Sequence, residues 1–502
     1  MAETKTPGND GAHTRPPAGA ALALFGVVLF LAALLRVWSA GGDLWLDEVW
    51  SLYNLDLARA GPSAGRWTAL FFHTNTHAAN TLYLALIGPD AGPFAYRGLS
   101  VVSSIATVAM AAAIGWRRSA REGLLAASLV AVSYPMVHYA GEARGYAPML
   151  LAALAAFYLL ESVLEKATPG RVVGFIAVSL FGLAAHLTFV VIQAFLGLWA
   201  AVVLFRRLSA VVPVLARLSA LFGVQAVALA AFAAVAVNNV HGMTSAHPIA
   251  AGMDVMAALT FGVDPSRLDS LGPAFGWAFF SALGLGLGGA VWGMFRKGDG
   301  AWIFFFTVVL LFPVGFVLTN PPLETLPRHF IAIAPIALIA AARGLSLLMD
   351  RNGPARWAAG ALLALFFIGQ GVLLDTFFAA GRGSYAEALK FIAEAGKAPV
   401  KVAGYHILRA GEMIKYHARK AGLADKIRFV PPEEDAQAPA TWFIGGSYGD
   451  DFGGPPPPRE ISRPAKDGSR PGGLSVTYRL KAVYPHWGLS GDTWALYRRQ
   501  GG

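Results

Sequence analysis

Two adjacent carboxylates, Asp47 and Glu48, lie in the run Asp43-Leu44-Trp45-Leu46-Asp47-Glu48-Val49-Trp50. A carboxylate pair among apolar side chains is a candidate catalytic pair, because burial raises the pKa and suits one member for general-base work. The plainer alternative is an acidic loop start with aromatic anchors at a membrane interface. A second cluster, Phe71-Phe72-His73-Thr74-Asn75-Thr76-His77-Ala78-Ala79-Asn80, puts His73 and His77 four residues apart, which on a helix is one face. Metal ligands use that spacing, so a divalent metal ion is a candidate companion, although two histidines also fall this way by chance. His73, His77 and Asn80, together with Glu142 and Tyr146 of the next element, are candidates for binding acceptor or sugar. The third element, His138-Tyr139-Ala140-Gly141-Glu142-Ala143-Arg144-Gly145-Tyr146, holds Glu142, Arg144 and Tyr146 in one short turn. An arginine there can grip a phosphate by charge-assisted hydrogen bonds, or simply tie the turn to Glu142. The fourth, Asn320-Pro321-Pro322-Leu323-Glu324-Thr325-Leu326-Pro327-Arg328-His329-Phe330, brings Arg328 and His329 to a helix start, where amides and dipole also favour an anion. Snorkelling is the alternative there, and also for Arg36 near the outer end of the first apolar run. Together these groups suit transfer from a phosphate-linked donor: a base for the acceptor hydroxyl and cations for the leaving phosphate.

What must position them is a membrane bundle. Of 502 residues, 56% are hydrophobic and only 14% charged, and the mean hydropathy is +0.52. A soluble domain carries nearer a quarter charged residues. With no cysteine, disulfides, thiolate metal sites and cysteine nucleophiles are excluded. The formal charge of +10 sits mostly in short loops, so membrane orientation explains it better than nucleic acid does. Apolar runs long enough to span occur at 19–38, 97–115, 122–140, 146–164, 171–187, 189–205, 217–237, 272–295, 301–319, 329–349 and 356–376. The stretch 171–205 is too long for one helix, and a turn near His186 splits it. Alternate loops carry Arg117, Arg118 and Arg121; Lys166 and Arg171; Arg206 and Arg207; Arg296 and Lys297; Arg351 and Arg356. The positive-inside rule then places the N-terminus in the cytoplasm and the four polar elements outside.

The expected organisation is a disordered cytoplasmic segment 1–18, a membrane catalytic domain 19–376, and an extracytoplasmic α/β domain 377–502. Within the membrane domain, 39–96 forms the first outer loop, with a short interfacial helix leading through Thr81–Ile87. In the tail, helical patterns fall near 384–396 and 408–421. Strand-like runs fall at Val400–Ala403, Ile427–Val430, Thr441–Ile444 and Trp494–Tyr497.

These motifs, in this order, resemble the GT-C superfamily of integral-membrane glycosyltransferases. The resemblance is to the branch of dolichyl-phosphate-mannose protein mannosyltransferases and bacterial aminoarabinose transferases, and it covers roughly residues 19–350. The residues that carry it are Asp47-Glu48 after the first helix, the interfacial helix, Ala143-Arg144-Gly145-Tyr146 before the fourth helix, and Arg328-His329-Phe330 at a late helix start. The resemblance implies a GT-C fold of about 11 membrane helices with a soluble C-terminal domain outside the bacterial inner membrane. It implies a polyprenyl-phosphate-linked sugar as donor, a glycan, lipid or protein acceptor, and a single inverting displacement. Carried over, Asp47 is the base and Glu48 its partner or an acceptor-site residue. Arg144 and Arg328, with His329 and Arg36, are the candidates for the lipid phosphate. Relatives often have His-Pro-Pro entering the interfacial helix where this chain has His77-Ala78-Ala79, which puts the local geometry there in doubt. The competing class is a membrane transporter or flippase, which usually buries charge in mid-membrane helices. Here the apolar runs are nearly free of charge, which favours the transferase.

Overall fold

The computed structural model describes residues 19–60, 70, 77–236, 249–319, 326–406, 409–448, 452–453, 455–464 and 475–500. Each of the eleven apolar runs is mostly helical over its described residues, and the turn at His186 separates the helices Pro169–Ala185 and Phe189–Leu208. Eight helices are long and apolar enough to span by themselves, so the chain is a multi-pass membrane protein. Chain chemistry sets their ends. Proline occupies the first helical positions of Pro93–Trp116, Pro169–Ala185, Pro273–Arg296 and Pro354–Ala380, where its missing N–H costs nothing. Ser119 caps the helix Ala120–Val132 by accepting from the Glu122 N–H. Gly19–Ser39 turns Leu24, Phe30 and Leu34 outward, as a lipid-facing helix must, whereas Tyr146–Glu165 is the most enclosed span.

The run expected as one helix over 122–140 departs from that expectation. It forms Ala120–Val132 and Tyr134–Ala140, bent by 60°. Pro135 lacks an N–H and its ring crowds the preceding turn. The Tyr134 N–H donates instead to Gln370 Oε1 at 2.7 Å, and Gln370 Nε2 donates to the carbonyls of Leu259 and Thr260. That bend aims the Glu142–Arg144 turn across the end of the bundle.

The C-terminal part is a six-stranded sheet in the order β2-β1-β3-β6-β5-β4. β1 (Val400–Gly404) pairs in parallel with β2 (Ile427–Phe429) and β3 (Trp442–Tyr448); the other pairings, through β6 (Asp492–Arg499), β5 (Ser475–Tyr484) and β4 (Glu460–Pro464), are antiparallel. Helices Tyr385–Glu394 and Arg409–Lys420 pack beside it. The sheet is bolted to the bundle at named points. The Ala386 N–H donates to Asp43 Oδ2 at 2.8 Å, His417 Nε2 donates to the Leu44 carbonyl at 2.9 Å, and the Leu489 N–H donates to the Tyr134 hydroxyl at 3.3 Å. Trp487 lies on Tyr134 with ring centres 5.3 Å apart.

Candidate active site

Asp47 and Glu48 occupy the first turn of the helix Leu46–Arg59, where the dipole favours negative charge, and both are buried. Their surroundings differ. Glu48 Oε1 accepts from Arg97 Nε at 2.9 Å and the Ala143 N–H at 2.7 Å. Its Oε2 accepts from Arg97 Nη2 at 2.7 Å and the Trp45 N–H at 3.1 Å. Neither Glu48 nor Arg97 has any exposed side chain. Arg97 also donates to the carbonyls of Ala40, Gly41, Gly42 and Asp43, so this pair ties the first loop to the bundle and to the Ala143–Arg144 turn. Four donors thus occupy the oxygens of Glu48, the expected partner of Asp47.

Asp47 meets a different partner set. Arg144 Nη2 stands 3.4 Å and Arg328 Nη1 3.6 Å from Asp47 Oδ2, and Arg144 Nη1 donates to the Asp47 carbonyl at 3.2 Å. Two guanidinium groups thus converge on one carboxylate. Arg144 follows the bent helix and Arg328 opens the 3-10 turn Pro327–Ile333, elements far apart in sequence. His329, the neighbour of Arg328, is exposed and accepts from the Leu326 N–H at 3.2 Å.

The remaining expected residues are distributed around this pair. His77 is buried and packs, with tilted rings, against His186 at 4.6 Å and Tyr146 at 5.4 Å, with Nδ1 3.3 Å from the Ala185 carbonyl. Its pKa lies well below the usual histidine value, from burial first and then the Arg144 charge. His186 is pushed down to about 3 by the same two causes. Asn80 Nδ2 donates to the Ala143 carbonyl at 2.6 Å, holding the turn on which Arg144 rides. Gly145 has no alternative, since a Cβ there would come within 1.8 Å of the Ala185 carbonyl oxygen. Glu142 pairs with Arg382 at 3.0 Å and lies 3.1 Å from His138, so its partner is not Arg144. Arg36 spends its guanidinium on Ser104 and the carbonyls of Ala32, Ala131 and Val130, with no bond to the Asp47 cluster. His73 lies outside the described residues.

Four residues join the site that the sequence did not single out. Arg97 and Arg382 sit at the ends of apolar runs and look there like interface anchors. His186 marks a turn. Asp492, from β6, is fully buried, and its pKa is raised well above the usual carboxylate value by burial and then by the Asp47 charge. Among the described residues no three His, Asp or Glu side chains gather as metal ligands would. An apolar cavity of about 370 Å³ opens behind the Arg328 element, lined by Phe330, Ile333, Ala334, Phe261, Trp277 and Met253 among others.

No known family model and no curated protein matches this sequence. Solved structures do. ArnT from Cupriavidus metallidurans in the apo state matches with a TM-score of 0.51 at 12% identity, over 85% of this chain and 93% of that one. The same protein bound to undecaprenyl phosphate gives 0.47 at 12%, over 86% and 93%. The archaeal oligosaccharyltransferase AglB from Archaeoglobus fulgidus, in complex with an inhibitory peptide and a dolichol-phosphate, gives 0.46 at 10%, over 85% and 69%. The first of these likenesses shows the fold: over 85% of its length this chain is folded as that protein is.

Proposed function

We propose that this chain is a membrane glycosyltransferase that moves a sugar from a polyprenyl-phosphate donor to an acceptor hydroxyl, with inversion, on the extracytoplasmic face of a bacterial inner membrane. The observation that carries this reading is the convergence of Arg144 and Arg328 on Asp47 Oδ2, at 3.4 and 3.6 Å, in a buried site at one end of the bundle. Two guanidinium groups at one carboxylate place directed donors where a phosphate would enter. On donor binding the guanidinium groups pass from Asp47 to phosphate oxygens, and Asp47 is released to accept the acceptor's proton. The acceptor oxygen then forms its bond to the anomeric carbon from the face opposite the phosphate. The bond from that carbon to the phosphate oxygen breaks, and its electron pair leaves with the polyprenyl phosphate, where the arginines meet the charge. Glu48, fixed by Arg97, keeps Asp47 in register. The apolar cavity beside Phe330 suits part of the lipid chain, on the element that carries Arg328. Residues 19–376 form the catalytic membrane domain in this reading, and 377–502 the outer domain that steadies the first loop. The acceptor is a glycan, a lipid or a protein hydroxyl.

The test is transfer from a panel of polyprenyl-phosphate sugars by wild type and Asp47→Asn. Loss of a general base lowers the rate by about 10²–10⁴-fold. Wild type that neither transfers nor hydrolyses any lipid-linked sugar, yet moves a solute across vesicles, would replace this reading with transport.

A further inference from the structure

The hydrogen bonds around His186 and His77 fix where each ring carries its proton. The Thr188 backbone N–H donates to His186 Nδ1 at 3.1 Å, and the Thr188 hydroxyl lies 2.9 Å from the same atom. A backbone N–H can only donate, so His186 Nδ1 is bare, and the proton of the neutral ring sits on Nε2. An imidazolium there would set N–H against N–H. His77 is the mirror case: its Nδ1 faces the Ala185 carbonyl, which can only accept, so Nδ1 carries the proton and Nε2 keeps its lone pair. The lowered pKa values of both rings agree with this neutral state. Geometry puts the two rings next to the phosphate-binding candidates. His186 and His77 lie against Tyr146 at 4.7 and 5.4 Å, and the Arg144 guanidinium stands 6.0 Å from the Tyr146 ring centre. No other hydrogen bond is formed by the Nε2 atoms of these histidines among the described residues.

We propose that this pair is the uncharged half of a glycosyl-phosphate site, with His186 Nε2–H donating to a phosphate oxygen and His77 Nε2 accepting from a hydroxyl of the attached sugar. The inference rests on the donor reading above and adds to it the residues that read the junction between sugar and phosphate. Chemistry favours a neutral donor here. A third cation beside Arg144 and Arg328 would repel them in the empty site, whereas a neutral N–H adds directed binding to an anion without that cost. The complementary tautomers also discriminate: a phosphate lacking its sugar leaves His77 Nε2 unmatched.

The experiment uses full-length protein in detergent micelles, with farnesyl phosphate as probe and farnesol as its uncharged control. Wild type binds the phosphate more tightly than the alcohol. His186→Phe, which keeps a ring but no N–H, weakens farnesyl phosphate binding by about ten-fold or more, the worth of a hydrogen bond to a charged group. His186→Gln, which restores an N–H, recovers most of that affinity. His77→Phe leaves farnesyl phosphate binding unchanged and raises KM for the sugar-bearing donor. Equal losses in His186→Phe and His186→Gln, or none in either at an unchanged unfolding temperature, overturn the inference while the donor reading stands. His186→Ala replaces the phenylalanine variant if that one does not fold. Wild type that fails to distinguish farnesyl phosphate from farnesol overturns the donor reading and this inference with it.

Discussion

The two ends of the bundle are both rich in charge and are built in opposite ways. At the end away from Asp47, cations and carboxylates satisfy one another. Arg118 meets Asp299 at 2.7 Å and Glu161 at 3.0 Å, Arg117 meets Glu161 at 2.9 Å and also Glu165, Arg121 meets Asp350 at 2.6 Å, and Arg343 holds Glu122. At the other end Glu48–Arg97 at 2.7 Å and Glu142–Arg382 at 3.0 Å are closed pairs, yet beside them two arginines stand 3.4 and 3.6 Å from Asp47. Closed pairs lock helices together and leave no capacity for a ligand. A longer, less saturated ion pair can exchange one partner for an anion, which is what the proposed function asks of it. On the proposed function the contrast separates charge that builds the fold from charge that does chemistry, and each prediction below presses on one side of it.

The largest effect belongs to the closed pair within the active end. Glu48→Ala strands Arg97 without its partner in a fully buried place, and breaking such a pair costs about 3–5 kcal/mol. Thermal unfolding in detergent should fall steeply, with activity lost through the fold. A Glu48→Ala protein of wild-type stability that is nonetheless inactive would move Glu48 into the chemistry. Arg118→Leu comes next. It removes the hub of the opposite network, where the side chain is 12% exposed, and should cost about 2–3 kcal/mol while farnesyl phosphate affinity stays at its wild-type value. A change in that affinity would mean that the two ends are not independent. Arg328→Gln reverses the pattern: kcat/KM for the lipid-linked donor falls by about 10–100-fold, the worth of a charge-assisted hydrogen bond, with little change in unfolding temperature.

These contrasts explain what the sequence disclosed. Apolar runs are long-range statements about solvent, and all eleven could be read from composition; so could the hairpin at His186. Pro135 was the available signal for the bend within 122–140 and was outweighed by the continuous apolar pattern around it. In the tail, β1, β2, β3 and β6 carry apolar runs; β4 is a short edge strand, and β5 alternates Val476, Tyr478 and Leu480 with Thr477, Arg479 and Lys481, a period-two signal that was available in the sequence. For the site, residue type pointed to Asp47, Arg144 and Arg328, because carboxylates and arginines beside apolar runs are rare. What residue type could not disclose is pairing. Glu142 lies two residues from Arg144 but pairs with Arg382, 240 positions away, and Glu48 is claimed by Arg97 rather than shared with Asp47. Partners at such separations follow from helix packing. For the same reason the residues of the C-terminal domain that grip the first loop carried no mark in the sequence.

His417 is the sharpest of those grips and gives the smallest expected effect. Its Nε2 donates to the Leu44 carbonyl, three residues before Asp47, and burial lowers its pKa from the ordinary 6.5, with Asp43 and Glu48 opposing that shift and Arg97 adding to it. The unfolded chain therefore binds a proton at a higher pH than the folded one does. Between those values unfolding takes up a proton, so stability is present above about pH 6.5 and is lost as the pH falls below it. His417→Gln keeps an N–H for Leu44 but does not titrate. Wild type should therefore lose about 1–2 °C more than the variant in unfolding temperature from pH 7 to pH 5. His77 and His186 titrate in both proteins, so they cancel in the difference. Equal slopes would mean that protonation of His417 does not act on the contact with the first loop in this pH range. A steeper slope in wild type would show that the clamp on the segment leading to Asp47 loosens in acid before the paired charges at the far end of the bundle are disturbed.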